Sequence, residues 1–551
     1  MRKSRIYLMK LPFNRGVGAM GMLRTARICV QVVVFVALGA RVGITAAAGE
    51  APVADAAESR DVAVIETLLK TGADVNAAQV DGMTALHWAV YHDEFQTAKL
   101  LVKAGADVLR ENRYGVVPIS LAATNGNGPL VELLLDSGAD PNRVSDGGET
   151  VLMTAAYTGS LGVVEALLRH NADPNATEHR NQTALMWAAA EGHASVVDAL
   201  IDAGADVHAK LYSGFTPMFF AVREGRIEVV QRLLRAGVDV DALLERDKDA
   251  VCAWCDTRSA RPVNDGMSPL LLAVRNGHFE LALALVDAGA DPNDQRTGFS
   301  PIHSVSWTRK PDASDTGNPS PVGSGNLTSL DFVRGMVERG ADVDLRLEQP
   351  KGRPPQTASR LSNEGATAFL MAADRADVSF MRLLVDLGAD PFMPNIEFTT
   401  PLMAAAGLGT TAPLEEAGTE PEAYKAVEFL LDLGADIDAI DENGDTPMHG
   451  AAYGNFPTVV ELLAKHGADS AIWKEKNERG LTPLFIAEGY RGGGFKLSRP
   501  TTEAMTRVMM ADGLSMAGER PAIRDIYEKK PEPQPELLNP AQAKKPKVSQ
   551  P

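Results

Sequence analysis

A pair of cysteines forms the only sequence motif that could support redox or metal chemistry. Cys252 and Cys255 are separated by two residues, a spacing that suits thiol exchange, half of a zinc site or a local disulfide. A c-type haem site is disfavoured because Asp256, and not histidine, follows the second cysteine. Cys29 lies in the N-terminal segment that we expect to be removed, so a four-ligand zinc site lacks ligands. We predict a disulfide between Cys252 and Cys255, with free thiols and a redox or metal function as alternatives.

Hydrolytic chemistry has no support in the sequence. The chain has ten histidines, but none shows the His-x-x-x-His or His-Glu-x-x-His spacing of zinc hydrolases. The Gly-x-Ser-x-Gly motif of serine hydrolases and the glycine-rich loop that ends in Gly-Lys-Ser/Thr are also absent. We therefore predict a protein that is not an enzyme and that has no catalytic residue, cofactor or metal.

A repeated phrase organises most of the chain. Two Leu-like residues, two variable positions and Gly-Ala-Asp recur, and the Gly or its substitute falls at 72, 105, 138, 171, 204, 237, 289, 340, 388, 434 and 467. The first five intervals and the last are 33 residues, while the other four are 52, 51, 48 and 46. A fixed period of this length is typical of a solenoid. A chain of 551 residues exceeds what one hydrophobic core supports, and a repeat array removes that difficulty.

Each repeat unit predicts two short helices. In one copy, Asp81-Gly82 forms a turn and Thr84 is placed to cap a first helix with apolar residues three and four apart. A second helix follows over 97–103, and Gly105 ends it because glycine adopts positive φ without steric cost. Neither helix can bury its apolar stripe alone, so neighbouring units must stack to form a core.

This pattern resembles the ankyrin repeat. Thr-Pro-Leu-His-like segments begin at Thr84, Thr216, Ser300, Thr400, Thr446 and Thr482. Second-helix matches include Val163-Val164 and Val459-Val460, each followed by a Leu-Leu pair. The resemblance implies an all-α solenoid of about twelve helix-turn-helix repeats, with short β-turn or hairpin loops and several inserted loops. It also implies protein binding on a concave face formed by the turn tips and the first helices. A group of exported bacterial ankyrin-repeat proteins has similar lengthened repeats.

Four insertions account for the long intervals. They cover roughly 244–264, 309–325, 347–364 and 407–420. Insertions in solenoids map to loops, and loops carry function. Neutral lengthening of surface loops is the alternative, since longer loops cost little free energy.

The two ends of the chain differ from the array. Eight basic residues and no acid precede Glu50, residues 28–40 are mostly apolar, and Ala46-Ala47-Ala48 suits signal peptidase. We predict a signal peptide over 1–48 and export to the periplasm or beyond, with an uncleaved anchor as the alternative. A linker at 49–52 would lead to the array over 53–514, regular at 53–243, lengthened at 244–443 and regular at 444–514. Residues 515–551 form a Pro/Lys-rich tail that we expect to be disordered.

Charge narrows the set of partners. The formal net charge is −18, and residues 49–551 alone carry −26. Such an acidic chain is a poor match for nucleic acid or anionic lipid. We expect a monomer with an unidentified protein partner, no nucleic acid and no membrane insertion beyond the signal segment.

Two recurring positions supply candidate binding residues. The position before the capping residue is unexpectedly apolar, and the position seven residues after it often holds the residue types found at binding hot spots. The ten candidates are Met83, Phe215, Met267 and Phe299 in the first position, and Tyr91, Tyr157, Arg223, Arg275, Trp307 and Tyr453 in the second. Packing against a neighbour is the alternative role for each.

The sequence as a whole predicts a non-catalytic interaction module in an extracytoplasmic compartment. It would bind a protein through the concave face and the inserted loops. Two alternatives remain: a redox or metal-associated periplasmic protein that uses Cys252 and Cys255, and a structural scaffold of an envelope assembly.

Overall fold

The computed structural model describes residues 51–245, 266–311, 320–348, 359–411, 413, 417–490 and 497–514. Within these ranges the chain forms 24 α-helices and one 3₁₀ turn at Ile472–Lys474, with no strand longer than an isolated bridge. The predicted signal segment at 1–48, the tail at 515–551 and the pair Cys252 and Cys255 lie outside the described residues.

The helices alternate between two kinds, and each repeat contains one of each. The first helices are α1 Pro52–Glu58, α3 Ala85–Tyr91, α5 Pro118–Asn125, α7 Val151–Thr158, α9 Ala184–Glu191, α11 Pro217–Arg223, α13 Pro269–Arg275, α15 Pro301–Arg309, α17 Ala368–Asp374, α19 Pro401–Ala405, α21 Pro447–Gly454 and α23 Pro483–Ala487. The second helices are α2 Val62–Lys70, α4 Phe95–Lys103, α6 Gly128–Asp136, α8 Leu161–Arg169, α10 Ala194–Asp202, α12 Ile227–Arg235, α14 Phe279–Asp287, α16 Ser329–Glu338, α18 Val378–Asp386, α20 Glu420–Asp432, α22 Pro457–Lys465 and α24 Arg499–Ala511.

The twelve pairs stack into two layers. Most first helices pack against the first helix of the next repeat, most second helices pack against the next second helix, and the two helices of a repeat contact each other. Most of the buried apolar side chains join into one cluster that runs from Ala51 in the first repeat to Met509 in the last. A second, small cluster lies in the lengthened repeats and contains Phe299, Trp307, Leu347, Ala366, Leu370 and Met371. The predicted all-α solenoid of about twelve helix pairs is therefore confirmed.

A histidine in the first turn of some first helices connects neighbouring repeats. The Nδ1 atom of His87 lies 2.8 Å from the hydroxyl of the capping residue Thr84, and its Nε2 atom lies 3.0 Å from the carbonyl oxygen of Val116 in the next turn. His303 contacts Ser300 and the carbonyl of Ala366 in the same way, at 2.7 and 3.2 Å. Burial lowers the pKa of His303 to about 4, so its ring is neutral near pH 7 and serves as a structural bridge.

A second bridge between repeats is made by the asparagine of the Gly-Ala-Asp-x-Asn phrase. The Asn175 amide donates to the carbonyl oxygen of Gly204 at 3.0 Å and accepts from the backbone nitrogen of Asp206 at 2.7 Å. The same pair of hydrogen bonds recurs at Asn76, Asn142 and Asn293. Each asparagine thereby fixes the turn that ends the second helix of the following repeat.

The four insertions occur at two kinds of position within a repeat. The first and third extend the turn between repeats, and each is closed at its base by backbone hydrogen bonds, Leu244 to Met267 and Leu347 to Ala366. The second and fourth separate the two helices of one repeat, after α15 and after α19. The stacking of the described helices continues past all four insertions.

A partly buried network of ion pairs and hydrogen bonds joins the lengthened repeats. Arg309 at the end of α15 pairs with the carboxylate of Asp377, at 2.6 Å from Nε to Oδ2, and donates to Ser329. Lys310 pairs with Glu422 at 2.8 Å and donates to the carbonyl of Arg375. The Arg375 side chain is only 1% exposed and donates to the carbonyl of Lys310. These contacts hold three lengthened repeats together near the positions where two insertions begin or end.

The asparagine bridges lead to a matched pair of stability predictions. Asn175→Ala removes two hydrogen bonds between repeats and should lower the free energy of unfolding by about 1 kcal/mol. Leu109 occupies the equivalent position in another repeat and is 56% exposed. Gly138 and Asp140 follow Leu109 at the same spacing at which Gly204 and Asp206 follow Asn175. Leu109→Asn should therefore raise stability by about 1 kcal/mol. Urea denaturation followed by circular dichroism measures both variants, and unchanged midpoints would show that the bridge contributes nothing.

Candidate functional site

The turn tips and the first helices form one continuous side of the array, which we call the groove face. The second helices form the opposite layer. Stacked repeats of this kind present extended concave surfaces to ligands. All ten candidate residues lie at the start or the end of a first helix, so the structure places them along this side.

The two candidate positions contact each other within a repeat. The rings of Phe299 and Trp307 meet edge to face with centroids 4.9 Å apart. The Arg223 guanidinium lies 5.5 Å from the ring centroid of Phe215. These pairs form because the turn before the first helix folds back over the end of that helix. From the sequence alone the two positions were considered separately, whereas in the structure their side chains contact each other.

Five of the ten candidates are buried. Met83, Met267, Phe299, Trp307 and Tyr453 are each less than 9% exposed. They fill the gap between the turn and the helix, which accounts for their apolar or aromatic character by packing. A partner could reach them only after a rearrangement of the turn.

The other five candidates are half-buried and retain surface on the groove face: Tyr91, Tyr157, Phe215, Arg223 and Arg275. Tyr157 packs edge to face with Trp187, with ring centroids 5.7 Å apart. The side chain of Arg223 is held by Phe220 and by an ion pair of 2.8 Å with Glu224. Burial lowers the pKa of Arg275. These side chains are ordered before any partner binds, which reduces the entropic cost of binding.

Exposed apolar residues at the turn tips were missed by sequence reasoning. Tyr114 and Tyr212 are 62% and 36% exposed, and Phe398 is 58% exposed. Phe398 also holds the left-handed conformation, with φ of +59°, at a position where other repeats have Gly, a conformation that costs a bulky residue of the order of 1–2 kcal/mol. The signal was present in the sequence, since an aromatic or aliphatic residue replaces the polar residues expected at a turn.

A cavity of about 70 Å³ opens on the groove face where the third and fourth insertions meet. Its floor contains two buried acids, Asp441 and Asp445, which are 7% and 4% exposed. Burial is the main reason that the pKa of Asp445 is raised to about 6, and the neighbouring charge of Asp441 adds to it. Burial also raises the pKa of Asp441 and of Tyr453 in the cavity wall.

A surface cluster of possible metal ligands lies away from the groove face. The side chains of Glu132, Asp136 and His170 approach one another on neighbouring second helices. Glu132 also pairs with Arg169 at 2.9 Å, so the cluster is a partly exposed group of charged and polar side chains in which only Asp136 is fully exposed.

Comparisons with known proteins agree with this geometry. A family model of ankyrin repeats (3 copies) matches residues 27–112, 119–211 and 414–493, and a model of the single ankyrin repeat matches 213–243 and 265–298. The chain is an all-α repeat solenoid, and it belongs to the ankyrin-repeat family. The family models do not cover 299–413, where the structure nevertheless continues the helix pairs from α15 to α19.

The chain is also similar to parts of larger proteins. It is 27% identical to inversin of Canis lupus familiaris over 164 residues, which cover 29% of this chain and 12% of inversin. It is 30% identical to the RelA-associated inhibitor of Mus musculus over 156 residues, 28% of this chain and 17% of that protein. It is 30% identical to the B-cell lymphoma 3 protein homolog of Mus musculus over 191 residues, 32% of this chain and 36% of that protein. The matches span small parts of these relatives.

The buried acid in the cavity floor leads to a pH-dependent prediction. Asp445 ionises near pH 6 in the folded chain, against an ordinary value of 3.8, so stability falls as the pH rises from about 4 to 6 and the cost persists above that. Asp445→Asn should raise the free energy of unfolding at pH 8 by roughly 1–3 kcal/mol and change it little at pH 4.

Urea midpoints at the two pH values measure this difference. Glu442→Gln serves as the control, because Glu442 is an exposed acid on the same turn and its loss should have little effect. A stabilisation that is equal at pH 4 and pH 8 would contradict the assignment.

Proposed function

We propose that this protein is a non-catalytic scaffold that binds a protein partner through the groove face. The observation that supports this proposal most directly is that one side of the array carries half-buried side chains such as Arg223 and Tyr157 together with exposed aromatic residues at turn tips. Aromatic and arginine side chains are enriched where binding energy concentrates. Membership of the ankyrin-repeat family supports this proposal, as does the name of the RelA-associated inhibitor, which states an association with another protein.

We also propose that the scaffold acts outside the cytoplasm, as in exported bacterial ankyrin-repeat proteins. The basic and apolar composition of residues 1–48 supports export. Within the described ranges, no helix is long and apolar enough to cross a membrane. The strong negative charge of residues 49–551 favours a partner with a basic surface, because opposite charges speed encounter.

The binding role is tested by affinity capture with the full chain as bait. Tyr114→Ala and Tyr212→Ala together should reduce capture of the partner at least tenfold, since they remove exposed aromatic contacts. Their exposure means that the array should remain folded, and circular dichroism checks this. A triple variant Tyr91→Ala, Tyr157→Ala and Arg223→Ala removes the half-buried set and should abolish capture.

Glu228→Ala is the matched control, because Glu228 is exposed on the second-helix layer. It should leave capture unchanged. If Glu228→Ala abolishes capture of the partner and both groove variants keep it, the binding surface lies on the second-helix layer and the proposal is wrong.

Export has its own test. Mass spectrometry of the protein from its native host should find a mature chain that starts near Gly49 in the extracytoplasmic fraction. An intact N-terminus in the cytoplasmic fraction would contradict export while leaving the binding proposal standing.

A further inference from the structure

The cavity between the third and fourth insertions has walls from six separate parts of the chain, one of which is Tyr453 on α21. The turn tips contribute Glu397, Asn443 and Arg479, the third insertion contributes Arg360, and the fourth contributes 408–411. The insertions touch directly, with the Arg360 backbone nitrogen donating to the carbonyl oxygen of Gly409 at 2.9 Å. The volume of about 70 Å³ is several times the roughly 10–15 Å³ that one water requires, so the cavity has room for a small polar group.

The floor of this cavity holds negative charge that neutral groups satisfy only in part. Asp441 accepts hydrogen bonds from the backbone nitrogens of Asn443 and Asp445 at 2.9 and 2.8 Å, and from the Thr399 hydroxyl at 3.3 Å. The Oδ1 atom of Asp445 accepts from the Asn477 amide at 2.8 Å. Among the described residues no group donates to the Oδ2 atom of Asp445, although the side chain is 96% buried by its surroundings.

The cavity lining also contains two arginines, Arg360 and Arg479, which we call the rim, and Arg479 hydrogen-bonds to the side chain of Tyr453 in the cavity wall. Arg360 and Arg479 are exposed, and Arg479 lowers the pKa of Asp445 without cancelling the effect of burial. The Asn443 amide lies 3.4 Å from the carboxylate of Glu397, so a third acid faces the same space. The lining therefore carries three carboxylates against two guanidinium groups.

We propose that this cavity receives a single cationic side chain, the ammonium of a lysine or the guanidinium of an arginine, from a segment of the protein partner. This inference rests on the proposed binding function of the groove face and names the chemistry of one contact in it. An ammonium or guanidinium group supplies donors to the open oxygen of Asp445 and to Glu397, and its charge offsets the two floor acids. Buried carboxylates that lack a paired cation are unfavourable, and a partner's cation removes that cost.

The rim sets the sequence context of that side chain. Arg360 and Arg479 repel a run of basic residues and attract acidic ones. The fitting segment is a lone lysine or arginine flanked by neutral or acidic residues. A polybasic tail fits poorly, although the overall acidity of the chain would favour it.

The test uses small probes on the full chain. Acetyl-lysine-methylamide and acetyl-arginine-methylamide should bind in the millimolar range, as seen by saturation-transfer NMR and titration. Acetyl-norleucine-methylamide, which has the lysine shape without the charge, should bind at least tenfold more weakly. Equal binding of the lysine and norleucine probes would overturn the inference.

Variants locate the site of that binding. Asp445→Asn should weaken the lysine probe at least tenfold, while Glu442→Gln, an equal loss of charge on the same turn outside the cavity lining, should change binding less than twofold. The first variant is expected to be the more stable protein at pH 8, so loss of binding cannot be attributed to unfolding. Unchanged binding by Asp445→Asn, or equal losses in both variants, would contradict the assignment.

Failure of this inference is distinguishable from failure of the proposed function. If Asp445→Asn still captures the partner while the double variant of Tyr114 and Tyr212 does not, the cation site is wrong and the groove function stands. If the lysine probe depends on Asp445 but neither groove variant affects capture, the cavity is a cation site and the groove proposal fails.

Discussion

A helix pair of this size cannot bury its own apolar stripe, and the rest of the structure depends on that constraint. Each repeat gains a core only by stacking on its neighbours, so the contacts between repeats determine whether the chain folds. The Asn175 amide and the ring of His303 are examples of polar groups that reach from one repeat to the next. They set the distance and orientation at which the apolar faces meet, and the groove face is a consequence of that regular spacing.

The lengthened repeats show how an array can acquire new surface without losing its stacking. The insertions occur only in turns between repeats or between the two helices of a repeat. They therefore do not interrupt the contacts between helices. Charged contacts such as the ion pair of Arg309 with Asp377 hold the lengthened repeats together. The cavity with Asp445 in its floor arises where two of these loops meet. Its unfavourable buried charge is the type of local cost that folded proteins retain at functional sites.

Much of the fold could be predicted from the sequence because its determinants are local. The 33-residue period, the capping Thr84 and the helix-ending Gly105 all act within one repeat, and the structure has helix ends at these residues. The family resemblance added the concave face formed by the turn tips and the first helices. The four insertions could be placed roughly from the long intervals, but the intervals do not show which insertions extend a turn between repeats and which separate the two helices of one repeat.

The candidate site was harder to predict because exposure depends on tertiary packing. Trp307 and Tyr453 have the residue types of a binding surface, but the turn folds over the helix end and buries them. Tyr114 and Tyr212 lie at turn tips, where the absence of a covering element leaves them exposed. Arg375 is a charged residue with a buried side chain, and nothing in its local sequence indicates the backbone carbonyl of Lys310 that it contacts.

Amide hydrogen exchange of the full chain tests most directly whether the lengthened repeats belong to the same stacked array. The account predicts that amides in Pro301–Arg309 and Val378–Asp386 exchange as slowly as those in Ala184–Glu191 and Ile227–Arg235, because all four helices share one continuous core. Rapid exchange in the first two helices, with protection kept in the other two, would contradict it. The array would then end before the insertions, and the groove face would not extend to the cavity.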